Sequence, residues 1–438
     1  MIKTWGLTLV LVLSGLFWAL FLFRFPLEEL AQKPPRSAIQ GWDSSFYYYW
    51  LRSAYFERPF DFRHSATITR TMAEPERVAY LARPVTATGR LPNKLGVGWA
   101  VSSWPFFVLA DGIVVGLQKT GWAHPARDGY SAIYQILLLG GQLIYAAAGL
   151  CLAWRIVSRW VAGPQAAEGV LLCWLGSFLF TYQTWLLSMS HSLAFSALCW
   201  AFWCGLRIVE KRAGPGIWLQ MGLASGLLVV TRYQCAVYLL FPAVAAVMAL
   251  RAGNRGARLG AGLACLGGGA LLFLQMLAWK IVYGQWLLYS YEGEIFHWTR
   301  PHVWDVLFSP FHGLFYWSPS LLVGLAGYLM WVRRHPFPGW VWTVSMLATL
   351  WVNAAWEEWW FGASYGSRAF EGCVLFFMLG TAWLLQVLQS RWIWRAVLVG
   401  VLGLLSLANG LLSYRALRGK MTLAQPVTYA EMWKAIWK

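Results

Sequence analysis

Asp43 stands in the run Gly41-Trp42-Asp43-Ser44-Ser45-Phe46-Tyr47-Tyr48-Tyr49-Trp50, with Arg52, Glu57 and Asp61 close behind. A carboxylate set among rings at an interface is partly desolvated, which suits it to take a proton from a hydroxyl as a general base. Asp43 is therefore the catalytic candidate, against the plain alternatives of a helix cap or an ion pair to Arg52. Tyr47, Tyr48, Arg52 and Asp61 follow closely enough to line the same cavity. Three cations suit an anion: Lys94 in Pro92-Asn93-Lys94-Leu95-Gly96, Arg232 in Thr231-Arg232-Tyr233, and Arg368 at the end of the stretch that opens Trp356-Glu357-Glu358-Trp359. Lysine offers a point charge and arginine a two-pronged fork, and a lipid phosphate accepts either; headgroup anchoring is the structural alternative. His191 in Met189-Ser190-His191-Ser192, His312 in Ser309-Pro310-Phe311-His312-Gly313, and Glu358 complete the polar set, although a turn would account for each. His297, His302 and His312 share a loop with Glu292 and Glu294, a pattern that fits a structural metal or none better than a catalytic one. No metal ligand and no cofactor is assigned.

The elements that must hold these residues are membrane-spanning helices. Of 438 residues, 59% are hydrophobic and 12% charged, whereas soluble domains run at about 45–50% and about 25%. Too few charges remain to cover a water-facing surface, so the chain is an all-α polytopic membrane protein; a disordered chain, a disulfide scaffold and a soluble enzyme are excluded. The net charge of +17, from 35 Lys and Arg against 18 Asp and Glu, does not point to nucleic acid. The basic residues punctuate apolar runs, as in Arg155/Arg159, Arg207/Lys211/Arg212, Arg251/Arg255/Arg258, Arg333/Arg334 and Arg391/Arg395, which is the positive-inside pattern. The seven cysteines lie in or beside apolar segments with no paired spacing and read as small core residues.

Twelve apolar runs have spanning character, at roughly 5–24, 97–117, 131–154, 169–187, 192–206, 216–230, 236–250, 259–283, 317–332, 339–356, 372–388 and 396–414. Counting all twelve puts the basic loops outside. Treating 97–117, which carries Pro105 and Asp111, as an interfacial helix repairs every later loop. The expected architecture is a transmembrane domain over 1–414 with about eleven spans, a long first outer loop at 25–130 carrying juxtamembrane helices, a second larger outer loop at 284–316, and a short tail at 415–438 that also lies outside.

The aromatic-flanked early Asp, the Pro-Asn-Lys leading into a Trp-Pro-Phe-Phe helix, the Ser-His at a short outer turn and the late Gly-Ala-Ser-Tyr-Gly-Ser-Arg stretch together resemble bacterial GT-C fold glycosyltransferases. The nearest likeness is to the protein O-mannosyltransferase and aminoarabinose transferase group. The resemblance implies an inverting transferase of the bacterial inner membrane whose site faces the periplasm. It implies a polyprenyl-phosphate-linked sugar as donor, membrane lipid around it, and a glycan, lipid or protein hydroxyl as acceptor. Asp43 matches the family's catalytic Asp by position, and Lys94 its motif Lys. Lys-Leu-Gly stands where relatives have Lys-Pro-Pro, and Ser44 where many have a second acid, so the motifs fix neither the sugar nor the use of a divalent cation. A transporter or flippase, or a non-catalytic binder of a lipid-linked sugar, is the other class. Transport predicts charges at mid-bilayer and broken helices in related halves, whereas the polar clusters here gather on one face. Replacing Asp43 by Asn is expected to cut turnover and leave donor binding intact.

Overall fold

The computed structural model describes Ile39 and residues 41–437 except 70, 122, 123 and 292. The first apolar run, 5–24, and Glu292 lie outside the described residues. Among these residues the fold is all-helical, without strands. Seven helices are long and apolar enough to cross a membrane: Gly98–Thr120, Ala132–Val157, His191–Val209, Tyr233–Arg251, Ala257–Tyr283, Arg368–Val387 and Trp392–Leu417. The chain is thus a multi-pass membrane protein.

Of the remaining expected spans, 339–356 falls in the 20-residue helix Pro336–Ala355, and the others are shorter or interrupted. Pro215–Thr231 has 17 residues and Ser320–Arg334 has 15. The run at 169–187 divides into Gly163–Leu175 and Phe178–Thr184. At that break the Asn409 side chain donates to the carbonyls of Leu175 and Ser177 at 2.8 and 3.0 Å, and the Phe178 amide donates to Ser318 Oγ at 3.1 Å. Backbone groups freed inside an apolar bundle are tolerated where neighbours satisfy them in this way.

The segment 97–117, expected as an interfacial helix, is one continuous helix, Gly98–Thr120, that passes through Pro105. By length and composition it belongs with the candidate spans. Its register is distinctive. Gln142 reaches Ser103 at 2.8 Å and Tyr134 reaches Asp111 at 2.6 Å, so the helix runs antiparallel to Ala132–Val157. This alignment sets Gly98 near the middle of its partner and carries Thr120 roughly 10 Å past the partner's start, at about 1.5 Å per residue. Asp111, an acid in an apolar helix, is satisfied by Arg127 at 2.8 and 2.9 Å, Tyr55 at 2.8 Å and Tyr134.

The basic turns collect at one end. Arg159 pairs with Glu210 at 2.6 Å, Arg395 pairs with Glu168, Trp160 packs against His335, and the Ala162 amide donates to Gln386. Small residues let helices approach on their backbones: a Cβ on Gly380 would collide with the Gly324 carbonyl, and one on Gly222 with that of Ala264. At the opposite end the tail returns to the 310–316 loop. The Val427 amide donates to Pro310 O at 3.2 Å, and Tyr429 Oη donates to Tyr316 O at 3.1 Å. The tail helix Tyr429–Trp437 starts on a reciprocal cap, in which the Thr428 amide donates to Glu431 at 2.7 Å and the Glu431 amide donates to Thr428 Oγ1 at 3.3 Å.

Candidate functional site

A cavity of about 930 Å³ opens at the end of the bundle remote from the basic turns. Asp43, Lys94, Arg232 and Arg368 all line it, with Tyr47 and Glu358. Four distant segments therefore deliver the sequence-chosen acid and all three chosen cations to one space.

Asp43 is the second residue of the helix Trp42–Phe56, whose cap is Gly41 without any side-chain bond. The positive φ of Gly41, 95°, turns the chain into the helix, and its amide donates to Thr71 O at 2.9 Å. Neither structural alternative for Asp43 is observed. It caps nothing, and it lies in ion-pair contact with Arg368 Nη1 at 3.1 Å, away from Arg52.

Lys94 is placed by its neighbours. Asn93 is fully buried and donates to Phe46 O at 2.9 Å, while the Val97 amide donates to Gln275 at 2.9 Å. Gly96 and Gly98 press on the backbone of Val230 and Thr231, where any Cβ would clash, so the Lys94 loop is locked against the end of Pro215–Thr231. The ammonium pairs with Glu294 and lies 5.0 Å from the centre of the Tyr291 ring. Arg232 follows directly on Thr231 and meets the buried Glu371 carboxylate at 2.8 Å. Ser190 Oγ and His191 Nε2 lie 3.4 Å from its Nη1. His191 is thus buried behind Arg232 and does not line the cavity; its Nδ1 faces Glu371 at 3.5 Å.

Arg368 rides on the loop 356–367, where Phe361, Gly362 and Gly366 hold positive φ. His312 braces this loop from beneath: its Nδ1–H donates to Trp360 O at 2.6 Å, and Ser367 Oγ donates to His312 O at 2.5 Å. His312 is buried, and that burial pushes its imidazole down to about 4, only partly offset by the Trp360 carbonyl. Burial, reinforced by Glu294, raises the Glu358 carboxyl above its ordinary range. Burial also raises the Tyr47 phenol, whose oxygen accepts from Ser190 Oγ at 2.7 Å.

His312, like His191, does not line the cavity, and three more of the chosen residues lie elsewhere. Tyr48 donates to Gly129 O, and Arg52 pairs with Glu57 and donates to Asp128 O at 2.7 Å. Asp61 caps the helix Phe62–Ile68 by accepting from Arg63 N at 3.4 Å. His302 pairs with Asp305 at 3.0 Å. Among the described residues no group of three or more His, Cys, Asp or Glu is arranged to hold a metal ion. The sequence reading missed Glu371 as a site residue and took Glu294 only as a possible metal neighbour. Glu371 carried a readable signal, an acid at the mouth of an apolar run, since such charges are costly unless they have a partner.

No protein-family model matches the chain, and neither a curated protein nor a solved structure emerges as its relative. The chemistry rests on the cavity itself. Three of its four cations each face one carboxylate, Lys94 with Glu294, Arg232 with Glu371 and Arg368 with Asp43, while Arg83 lies over the Trp42 ring at 5.0 Å. Aromatic walls from Trp298, Trp356 and Tyr291 complete the lining. Such a space can hold an anionic group beside a polar, ring-stacking one.

Proposed function

We propose that the protein is an inverting glycosyltransferase of the GT-C type that moves a sugar from a polyprenyl-phosphate-linked donor to an acceptor hydroxyl. The single observation that carries this reading is the convergence of Lys94, Arg232 and Arg368 with Asp43 on one cavity, at the end opposite the basic turns. The acceptor oxygen attacks the anomeric carbon as Asp43 takes its proton. The bond to the donor phosphate breaks with its electron pair staying on the phosphate oxygen. One in-line displacement inverts the anomeric centre. The negative charge gained by the polyprenyl phosphate develops where water is scarce, and fixed cations aimed at it act strongly there. The aromatic walls suit the faces of a sugar, and Glu358 stands at the acceptor side.

In this reading the protein sits in a bacterial inner membrane with the cavity facing the periplasm, with about eleven spans in all. The broken helix at Gly176 does not favour transport, since it is sealed by Asn409 and lies away from the cavity lining. Native mass spectrometry of the protein purified with its lipids tests the proposal. A bound polyprenyl phosphate or its sugar ester is the expected result. A cavity lipid without phosphate would move the reading to a non-catalytic binder.

A further inference from the structure

The three carboxylate-paired cations of the cavity are not equally available to an incoming phosphate. Arg232 is held by Glu371, whose side chain is 1% exposed and which faces His191 on its other oxygen. Drawing Arg232 away would strand a buried carboxylate, a strongly unfavourable event. Lys94 is held by Glu294, which also accepts from Trp356 Nε1 at 3.0 Å and is thereby anchored in place. The third pair differs. Lys94–Glu294, at 28% and 16% exposed, and Arg368–Asp43, at 16% and 24%, both lie on the cavity wall, but Arg368 is the one ion-pair partner of Asp43 among the described residues, and Asp43 is the candidate base. An anion that took the Arg368 fork would leave Asp43 facing the open cavity and not buried without a partner.

Resting on the transferase reading, we propose that the Asp43–Arg368 pair is a latch opened by the donor phosphate, so that the base is released only once the donor is seated. Asp43 sits at Nη1 of the guanidinium, so a phosphate gripped with both prongs of the Nη1–Nη2 edge takes the place of the carboxylate. Phosphate binding and release of Asp43 are then one exchange. The acceptor hydroxyl finds a free carboxylate only in the donor complex, which orders the reaction donor first. An empty site holds its base tied to Arg368.

The latch makes a prediction opposite in sign to a supporting role for Asp43 in binding. The closed pair competes with phosphate, and a ligand that must displace a closed state binds more weakly by the fraction of time the site is open. The probe is a polyprenyl phosphate, with the corresponding polyprenol as control, titrated into the full-length protein in nanodiscs. Asp43→Asn and Asp43→Ser should each bind the phosphate more tightly, by about 2- to 5-fold as for the loss of one partly exposed ion pair. Polyprenol affinity should not change. In an Arg368→Ala background, where the phosphate already binds more weakly, adding Asp43→Asn should give no gain. Unchanged or weaker phosphate binding in both Asp43 variants, with melting temperatures like the wild type, would overturn the latch and leave the transferase reading standing. Equal wild-type affinity for the phosphate and the polyprenol would overturn both.

Discussion

The Arg232 guanidinium and the Glu371 carboxylate meet 2.8 Å apart behind the cavity, with side chains 12% and 1% exposed. Removing one partner of such a pair leaves the other charge without compensation, which typically costs about 3–5 kcal/mol, whereas replacing both by apolar groups is often neutral. Glu371→Gln should therefore lower the melting temperature of the detergent-solubilised protein markedly. The double variant Arg232→Met with Glu371→Leu should recover most of that loss. A double variant as unstable as the single one would mean that packing around Glu371, and not its charge, carries the stability.

Asp43→Asn should lower turnover by roughly 100- to 10,000-fold, the usual reach of positioned acid–base catalysis. The assay follows transfer from a polyprenyl-phosphate sugar in proteoliposomes. Wild-type turnover in this variant would reassign the base to another cavity acid, with Glu358 first in line.

Arg368→Ala should slow transfer by a factor on the order of 100, as the loss of one donor aimed at developing charge commonly does. Arg368→Lys should restore part of the rate, because a point charge remains without the fork. Equal rates for the two variants would show that charge at this position does not reach the leaving group.

His312 gives a pH signature. Its imidazole in the folded protein is held down to about 4 from an ordinary 6.5 by burial. The unfolded chain therefore takes up a proton first as pH falls, and the stability tied to the neutral ring is present above about 6.5 and lost progressively down to about 4. Thermal melts of the wild type and His312→Gln across this range should show the wild type losing more stability on acidification. Parallel curves would mean that the ring is already charged in the folded state or freely solvated.

In the proposed topology the cavity face is outside. A cysteine in place of the exposed His124 should react with a membrane-impermeant maleimide in intact cells, and one in place of the exposed Arg255 only after permeabilisation. The reverse pattern would turn the whole molecule over and place the cavity in the cytoplasm.

Much of the site was legible because charged residues at the ends of apolar runs are rare and costly, so Lys94, Arg232 and Arg368 stood out singly. Their partners did not, since nothing in sequence spacing links Arg232 to Glu371 or Lys94 to Glu294, and those contacts arise only when separate helices pack. The error over Tyr48 and Arg52 was avoidable. At 3.6 residues per turn Tyr47 lies about 40° from Asp43 around the helix, whereas Tyr48 and Arg52 lie about 140° and 180° away. One helix thus sends Asp43 and Tyr47 to the cavity and turns Tyr48 and Arg52 towards Gly129 and Asp128. Packing along Ala132–Val157 carries Gly98–Thr120 straight through Pro105. The basic turns were the clearest signal, and the structure gathers them at one end.

The return of the tail to the 310–316 loop has a practical side. Because Val427 and Tyr429 are fastened to Pro310 and Tyr316, the helix Tyr429–Trp437 is held at the same end of the bundle as the cavity. A reporter attached there would stand at that end, whereas one inserted at the turn of Gly253 and Asn254 would stand at the far end, away from the cavity.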